Sequence, residues 1–279
     1  MLIGVPKEIK NHEYRVGMTP TSVKEAVRNG HEVWVQANAG SGIGASDADY
    51  TAAGGKIIAT AAEIFAKADM IVKVKEPQAV ERKMLRPGGF GDQIYQAADA
   101  GEISQEHAPM LVRSFLSAGV DTTINGLGNA LFCLAHYPQE YAKLHADPSL
   151  ARPAFEESLR YESTAQTFFR TTSKACELSG VPLEANHKVL TFLAAANRDP
   201  RKWPDPDVYR IERRPSGHMA LGSGIHGCVG QAIARLEGEV VLTALAKRVK
   251  RIEVMGAHTR RLNNTLRALD TLPLKLIPA

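Results

Sequence analysis

The hydrophobic patterning of this 279-residue chain changes kind once, at Arg86-Pro87-Gly88-Gly89-Phe90, and each side of that point allows a different fold. Before it, short β-branched runs alternate with helical stretches. The order is Leu2 to Val5, a helix from about Thr21 to Asn29, His31 to Gln36, Lys56 to Ala59, a helix from Ala61 to Lys67, and Met70 to Lys75. Strands alternating with helices imply βαβ units in a parallel sheet that wants helices on both faces. Asn29-Gly30 suits a helix C-cap and Thr60 an N-cap. After the switch, one apolar helix is expected over about Gln105 to Tyr137. At that length it would run about 45 Å and cross the middle of something large. Amphipathic stretches follow at Pro138 to His145, Ala151 to Glu162 and Gly230 to Arg248, with few strands. The expected class is mixed: an α/β parallel-sheet fragment, then a mainly α fragment. Between the last two helices lies a coil rich in Asn, Asp, Arg, Pro and Gly, about Ala196 to Gly227, and coils of that length tend to be functional or disordered.

Composition narrows the partners. Lys and Arg number 34 against 30 Asp and Glu, a net charge of +4 split evenly across the switch, so neither part is a nucleic-acid arm. No apolar run approaches the roughly 20 residues of a membrane span, and MLIGVPKEIK lacks the build of a signal peptide. A cytoplasmic chain with no membrane and no nucleic-acid partner is therefore expected. The three cysteines, Cys133, Cys176 and Cys228, are odd in number and widely spaced, against a disulfide framework or a paired-cysteine zinc site.

The most informative segment is Leu221-Gly222-Ser223-Gly224-Ile225-His226-Gly227-Cys228-Val229-Gly230. Its glycines allow a tight turn with N–H groups aimed at the sulfur, and a helix N-terminus just after it would favour thiolate. A lone, hydrogen-bonded thiolate is an axial ligand suited to haem iron that cleaves O–O bonds. The plain alternative is a buried cysteine beside a turn.

This segment resembles the cysteine loop of the cytochrome P-450 family, and three further motifs stand in that family's order. They are Ala118-Gly119-Val120-Asp121-Thr122-Thr123 on the long helix, Glu157-Ser158-Leu159-Arg160, and Asn197-Arg198-Asp199-Pro200. Together they cover Phe90 to Ala279. The resemblance implies haem b with Cys228 as the iron ligand, and His226 and Arg170 at the propionates. It makes Asp121 and Thr122 an acid and alcohol pair that passes protons, and Glu157 with Arg160 scaffold. A ferredoxin-type electron donor is the implied partner. Read from the residues alone, Asp121 also suits a solvated helix charge, and Glu157 with Arg160 a surface pair. Finer features, Leu111-Val112-Arg113-Ser114-Phe115-Leu116-Ser117 and Gln166-Thr167-Phe168-Phe169-Arg170, resemble bacterial members that oxidise para-substituted benzoates. There Arg113, Ser114 and Ser117 would hold an aromatic carboxylate with Phe168 on its ring, although an Arg and two Ser on a helix also suit solvent. Leu221 stands where the family usually has Phe.

Residues 1 to 88 resemble the alanine dehydrogenases through Ile3-Gly4-Val5-Pro6-Lys7-Glu8, Glu13-Tyr14-Arg15-Val16 and Val72-Lys73-Val74-Lys75-Glu76-Pro77. The resemblance puts Arg15 and Lys75 on the oxo-acid substrate, one a bidentate donor and one a compact ammonium. Both are also ordinary solvated surface charges. Gly40-Ser41-Gly42-Ile43-Gly44 lacks the G-x-G-x-x-G spacing and reads as a loop, so no complete NAD site is expected.

Each half lacks parts that its family needs. No catalytic histidine, nicotinamide domain or later aspartate follows Pro77 in the first pattern, and the amino-terminal half of a P-450 is missing from the second. The expectation is a chimera of two truncated enzymes, residues 1–88 and 89–279, joined by engineering, by an assembly artefact or, least in keeping with an abrupt join, by natural fusion. Three readings follow: a haem-thiolate fragment with impaired turnover, an oxo-acid binding remnant without catalysis, or a non-functional chain with two incomplete cores.

Overall fold

The β-branched runs at the start of the chain pair as their pattern predicts. In the computed structural model β1 (Leu2–Val5), β2 (Glu32–Gln36), β3 (Lys56–Ile58) and β4 (Met70–Ile71) form a parallel sheet in the order β3-β2-β1-β4. Between the strands lie α1 (Pro20–Arg28), α2 (Asp47–Ala52) and α3 (Ala61–Lys67). Val5, Val23, Val33, Val35 and Tyr50 form the wholly buried centre of this core. Thr60 caps α3 by accepting from the Glu63 amide, and Asn29 and Gly30 end α1, both as expected. Helix α2 was not expected. Its signal is Ser46 and Asp49, three apart, which exchange side-chain and backbone bonds as a capping box.

The strand expected over Met70 to Lys75 stops at Ile71. Its neighbour β1 ends at Val5 before Pro6, so the ladder has no further edge, and the Glu8 carboxylate takes the next amides instead: Val74 at 2.6 Å and Lys75 at 3.4 Å. Next come α4 (Ala79–Arg82) and α5 (Phe90–Asp99). Leu85 packs with Ile94, Tyr95, Ala98 and Ala108, so the switch in patterning lies inside a packed region.

The structure describes residues 1–279, apart from the Leu116 side chain, and divides into two units, residues 1–117 and 118–279. Helix α6 (His107–His136) runs unbroken through the boundary for 30 residues. The length matches the expectation, but the burial is partial: Gly126, Asn129, Ala130, Cys133 and Leu134 are buried, whereas Asp121, Thr122 and Ile124 are exposed. In the second unit follow α7 (Pro138–Ala146), α8 (Ala151–Glu162), β5 (Thr167–Thr171), β6 (Cys176–Leu178), β7 (Val181–Leu183), β8 (Lys188–Phe192), α9 (Leu193–Ala196) and α10 (Gln231–Arg248). Strands β9 (Val249–Val254), β10 (Thr259–Arg261), β11 (Ala268–Thr271) and β12 (Leu274–Pro278) complete it.

"Few strands" is therefore corrected, because four antiparallel ribbons, β5–β8, β6–β7, β9–β12 and β10–β11, accompany the helices. The pattern hid them since β6 is exposed along its whole length and β7 nearly so, leaving no alternation to read. Among the described residues no helix is long and apolar enough to cross a membrane.

The core of this unit gathers Leu134, Tyr141, Leu144, Phe155, Leu159, Tyr209, Ile211 and Leu242 from α6, α7, α8, α10 and the long coil. One ion pair organises that coil. Arg160 and Glu157 on α8 are both fully buried, with Nε to Oε2 at 2.8 Å and Nη2 to Oε1 at 2.9 Å. Arg160 Nη1 also donates to the carbonyls of Asn197 and Pro206, both at 2.9 Å, while Glu157 Oε1 accepts from the Arg210 amide and from Arg213 Nε.

Arg160→Ala removes the bidentate partner of the buried Glu157 carboxylate, leaving it Arg213 and the Arg210 amide, and strands two carbonyls, so urea titration should show a loss of about 3 kcal/mol. Arg152→Ala, which removes an exposed partner of Glu239, should cost at most about 1 kcal/mol.

Candidate functional site

In the first unit Glu13, Arg15 and Lys75 come together in a cavity of about 390 Å³ whose lining also includes Lys10, His12 and Tyr14. Two features of the backbone place them. The Gly40 to Gly44 segment is the loop its spacing predicts, a short turn over Ser41–Ile43 that lies against residue 14. A Cβ on Gly42 would sit 2.1 Å from the Tyr14 carbonyl oxygen, so only glycine allows that approach. Lys75 is placed by Glu8, which accepts from the Val74 and Lys75 amides and pairs at 3.2 Å with Lys73. Lys73 in turn lies 2.8 Å from Glu81, and all three of these side chains are buried.

The Glu13 carboxylate accepts from Arg15 Nε at 2.8 Å and Nη2 at 2.5 Å, and lies 3.7 Å from Lys75 Nζ. The bonds from the Arg15 side chain are the largest influence holding its pKa down, to about 2, and the same contact pushes Arg15 up. Arg15, whose side chain is 63% exposed, and Lys75 thus share one carboxylate at the edge of one cavity. Glu13 as their common partner was missed, although it stands two residues from Arg15 in the quoted motif. Elsewhere in this unit Arg113, Ser114 and Ser117 are exposed on α6, and the Ser114 hydroxyl donates to the Met110 carbonyl in its own helix at 2.8 Å.

In the second unit the Cys228 loop closes on itself. The Cys228 amide donates to the Leu221 carbonyl at 2.8 Å, and Gly222 turns the chain at φ 71°, where a Cβ would lie 2.4 Å from the His226 oxygen. Two details differ from the sequence reading. The amides of Gly222, His226 and Gly227 donate to Met219, Ser223 and Gly224 within the loop, so among the described residues none donates to the Cys228 sulfur. Helix α10 also starts at Gln231, three residues past the cysteine rather than at it.

Cys228 is half-buried, while burial pushes the core thiol of Cys133 up and keeps it protonated. His226 is exposed beside Ile225 and Val229, which are 97% and 79% exposed, and Ile233 on α10 is 64% exposed. Leu221 packs against the main core rather than standing over the loop.

The loop is anchored by a cluster that the sequence reading missed. Buried His218 donates from Nε2 to Glu156 on α8 at 2.7 Å and accepts the Ala220 amide on Nδ1, and Arg235 on α10 binds the same carboxylate. Burial is the largest influence on Glu156 and raises its pKa, but the bonds from His218 and Arg235 together leave it below the usual carboxylate range. Nothing in the local spacing joins these three, because they meet only across the packed helices.

Arg170 and Phe168 share one face of β5, the guanidinium 5.8 Å from the ring centroid and bonded to the Phe169 carbonyl. Thr122 Oγ1 donates back to the Ala118 carbonyl at 2.6 Å, as a threonine that loosens a helix should, yet α6 stays helical there. Asp121 is exposed rather than enclosed by its apolar neighbours. Among the described residues no hydrogen bond or ion pair joins the Cys228 loop, the β5 pair and the Asp121-Thr122 pair to one another.

Comparisons with known proteins give two overlapping matches. Residues 4–124 match the family model of the alanine dehydrogenase/PNT N-terminal domain. A longer part of the chain is similar to cytochromes P450: 59% identical over 199 residues to cytochrome p450 CYP199A2 of Rhodopseudomonas palustris, covering 71% of this chain and 48% of that protein. It is 33% identical over 221 residues to the biotin biosynthesis cytochrome P450 of Bacillus subtilis, covering 79% and 54%. Among solved structures, CalO2 superposes with a TM-score of 0.66 at 30% identity, over 71% of this chain and 51% of that one. The chain spans about half the length of the curated relatives it matches. It therefore joins an alanine dehydrogenase/PNT-type amino-terminal segment to a partial P450 fold, and the two matches overlap beyond the switch in patterning.

A carbon-13 titration of the Glu13 carboxyl should find it ionised until the pH falls to about 2. Arg15→Ala should return it to the ordinary range near about 4.3. Because the folded value is the lower one, the pair's contribution to stability is present above that ordinary value and fades as pH drops toward 2.

Proposed function

We propose that residues 89–279 are the haem-binding part of a haem-thiolate monooxygenase, derived from an oxidase of aromatic carboxylates and impaired in turnover in this chain. Residues 1–88 form an alanine dehydrogenase-like substrate domain in this reading. The observation that carries it is the Cys228 sulfur, half-buried in a closed glycine loop and flanked by exposed apolar Ile225 and Val229. A soft ligand beside an apolar face, with the His226 imidazole and the Arg170 guanidinium on the same unit, fits the chemistry of a haem bearing two carboxylates. Cys228 would hold the iron, and His226 and Arg170 would meet the propionates. Bound there, the haem would supply thiolate-assisted O–O cleavage with electrons from a ferredoxin-type donor in the cytoplasm.

The chain's own residues would handle the protons and the substrate. The exposed Asp121 carboxyl is open to water and would serve as the acid of the pair, and Thr122, its Oγ1 hydrogen committed to Ala118, presents oxygen lone pairs as an acceptor. Arg113, Ser114 and Ser117 would bind an aromatic carboxylate. Impairment is supported by the apolar surface left uncovered, including Phe169, Phe192 and Ile233.

The test is the absorption spectrum of the chain expressed with a haem precursor, reduced and exposed to carbon monoxide. A Soret band at the thiolate-ligated position, absent in Cys228→Ala, is expected. No bound haem, or a band unchanged by that substitution, sinks the assignment.

A second reading is favoured by the cavity that joins Arg15 and Lys75: a binding site for a small oxo acid, without catalysis. Pyruvate at millimolar concentration should raise the unfolding midpoint, since a ligand that binds only the folded state stabilises it. Arg15→Ala should abolish the shift, and equal shifts in both proteins would refute the site.

A further inference from the structure

We propose that Glu13 sets the charge selectivity of the Arg15 and Lys75 cavity, admitting a monoanionic oxo acid and disfavouring a dianionic one. The inference rests on the oxo-acid reading of that cavity and names a residue which that reading does not use. Glu13 is the only acid in the cavity lining, where Lys10, Arg15 and Lys75 supply the fixed cations. Lys10 is already matched by Glu76 at 2.5 Å, and the nearby Glu8 and Glu81 are engaged with Lys73 and with backbone amides. Arg15 and Lys75 therefore share a single carboxylate, Glu13, and are the cations of the lining left to meet a ligand. One ligand carboxylate can face that pair, whereas a second would stand against the Glu13 charge.

The geometry leaves room for that single carboxylate. Glu13 takes Arg15 by Nε and Nη2, so Nη1, which has no partner among the described residues, remains to meet a ligand. Held to about 2, the Glu13 carboxyl keeps its charge at any pH where an oxo acid would bind.

Removing a unit charge at contact distance in water changes affinity by about fivefold for each ligand charge. A dianion therefore gains more than a monoanion when Glu13 is neutralised. Any loss from a less firmly held Arg15 strikes the carboxylate common to both and cancels in their ratio. Glu13 is thus a specificity-determining residue, separable by this ratio from a merely structural one.

The experiment titrates the full chain with pyruvate and with oxaloacetate by calorimetry. In Glu13→Gln the affinity of oxaloacetate relative to pyruvate should rise at least about threefold over wild type, and in Glu13→Asp, which keeps the charge, it should stay within about twofold. An unchanged or lower ratio in Glu13→Gln overturns the proposal. Should that variant fail to fold, Tyr14→Glu adds an acid to the lining at a side chain 66% exposed and must lower the ratio. No change there overturns the proposal equally. Absence of saturable binding of either acid, in wild type as in Arg15→Ala, would refute the oxo-acid site itself and this inference with it. That failure appears in both affinities, not in their ratio.

Discussion

The second unit depends on the fully buried Glu157–Arg160 pair. Taking two charges out of water is costly, and the cost is offset only when nearly every remaining polar atom finds a partner. Here the partners are backbone groups of the coil between α9 and α10, at Asn197, Pro206 and Arg210. The coil has no long helix and no sheet of its own, and besides the turns within it, its carbonyls at Asn197 and Pro206 and its amide at Arg210 are satisfied from α8. Asn197 adds to this by donating to Ser163 and accepting the Met219 amide. The path of the chain into the Cys228 loop is thus dictated by a helix more than sixty residues upstream.

The first unit solves a similar problem with the same means. Its sheet ends at Val5 and Ile71, and the segment leading to Lys75 would leave unpaired amides beneath the cavity. Glu8 takes them, Lys73 neutralises Glu8, and Glu81 completes the buried trio. In both units a buried ion network holds an irregular stretch of backbone without the support of a strand.

How far this was legible in the sequence depends on the range of the interaction. Periodic apolar spacing found α3 and α8 to the residue and α6 within two residues at either end. The Thr60 cap and the Gly222 turn are also local, and their residue types are nearly obligatory. Ribbons such as β6–β7 escaped because no face is buried to impress a pattern. The expected enclosure of Asp121 failed because apolar neighbours in sequence, Val120 and Ile124, are themselves exposed. Glu157 and Arg160 could be read as a surface pair or a scaffold, and only what packs over them decides which.

By itself, then, the sequence determined the parallel sheet, the long helices and the glycine loop around a single cysteine, because each is written in residues close together in the chain. Only the tertiary structure decided which charges meet. Glu156 finds His218 62 positions away and Arg235 79 away, and Glu8 reaches Val74 across 66. Such partners are selected by how helices and strands bury their apolar faces. A carboxylate carries no local mark of the cation it will face once that packing is complete.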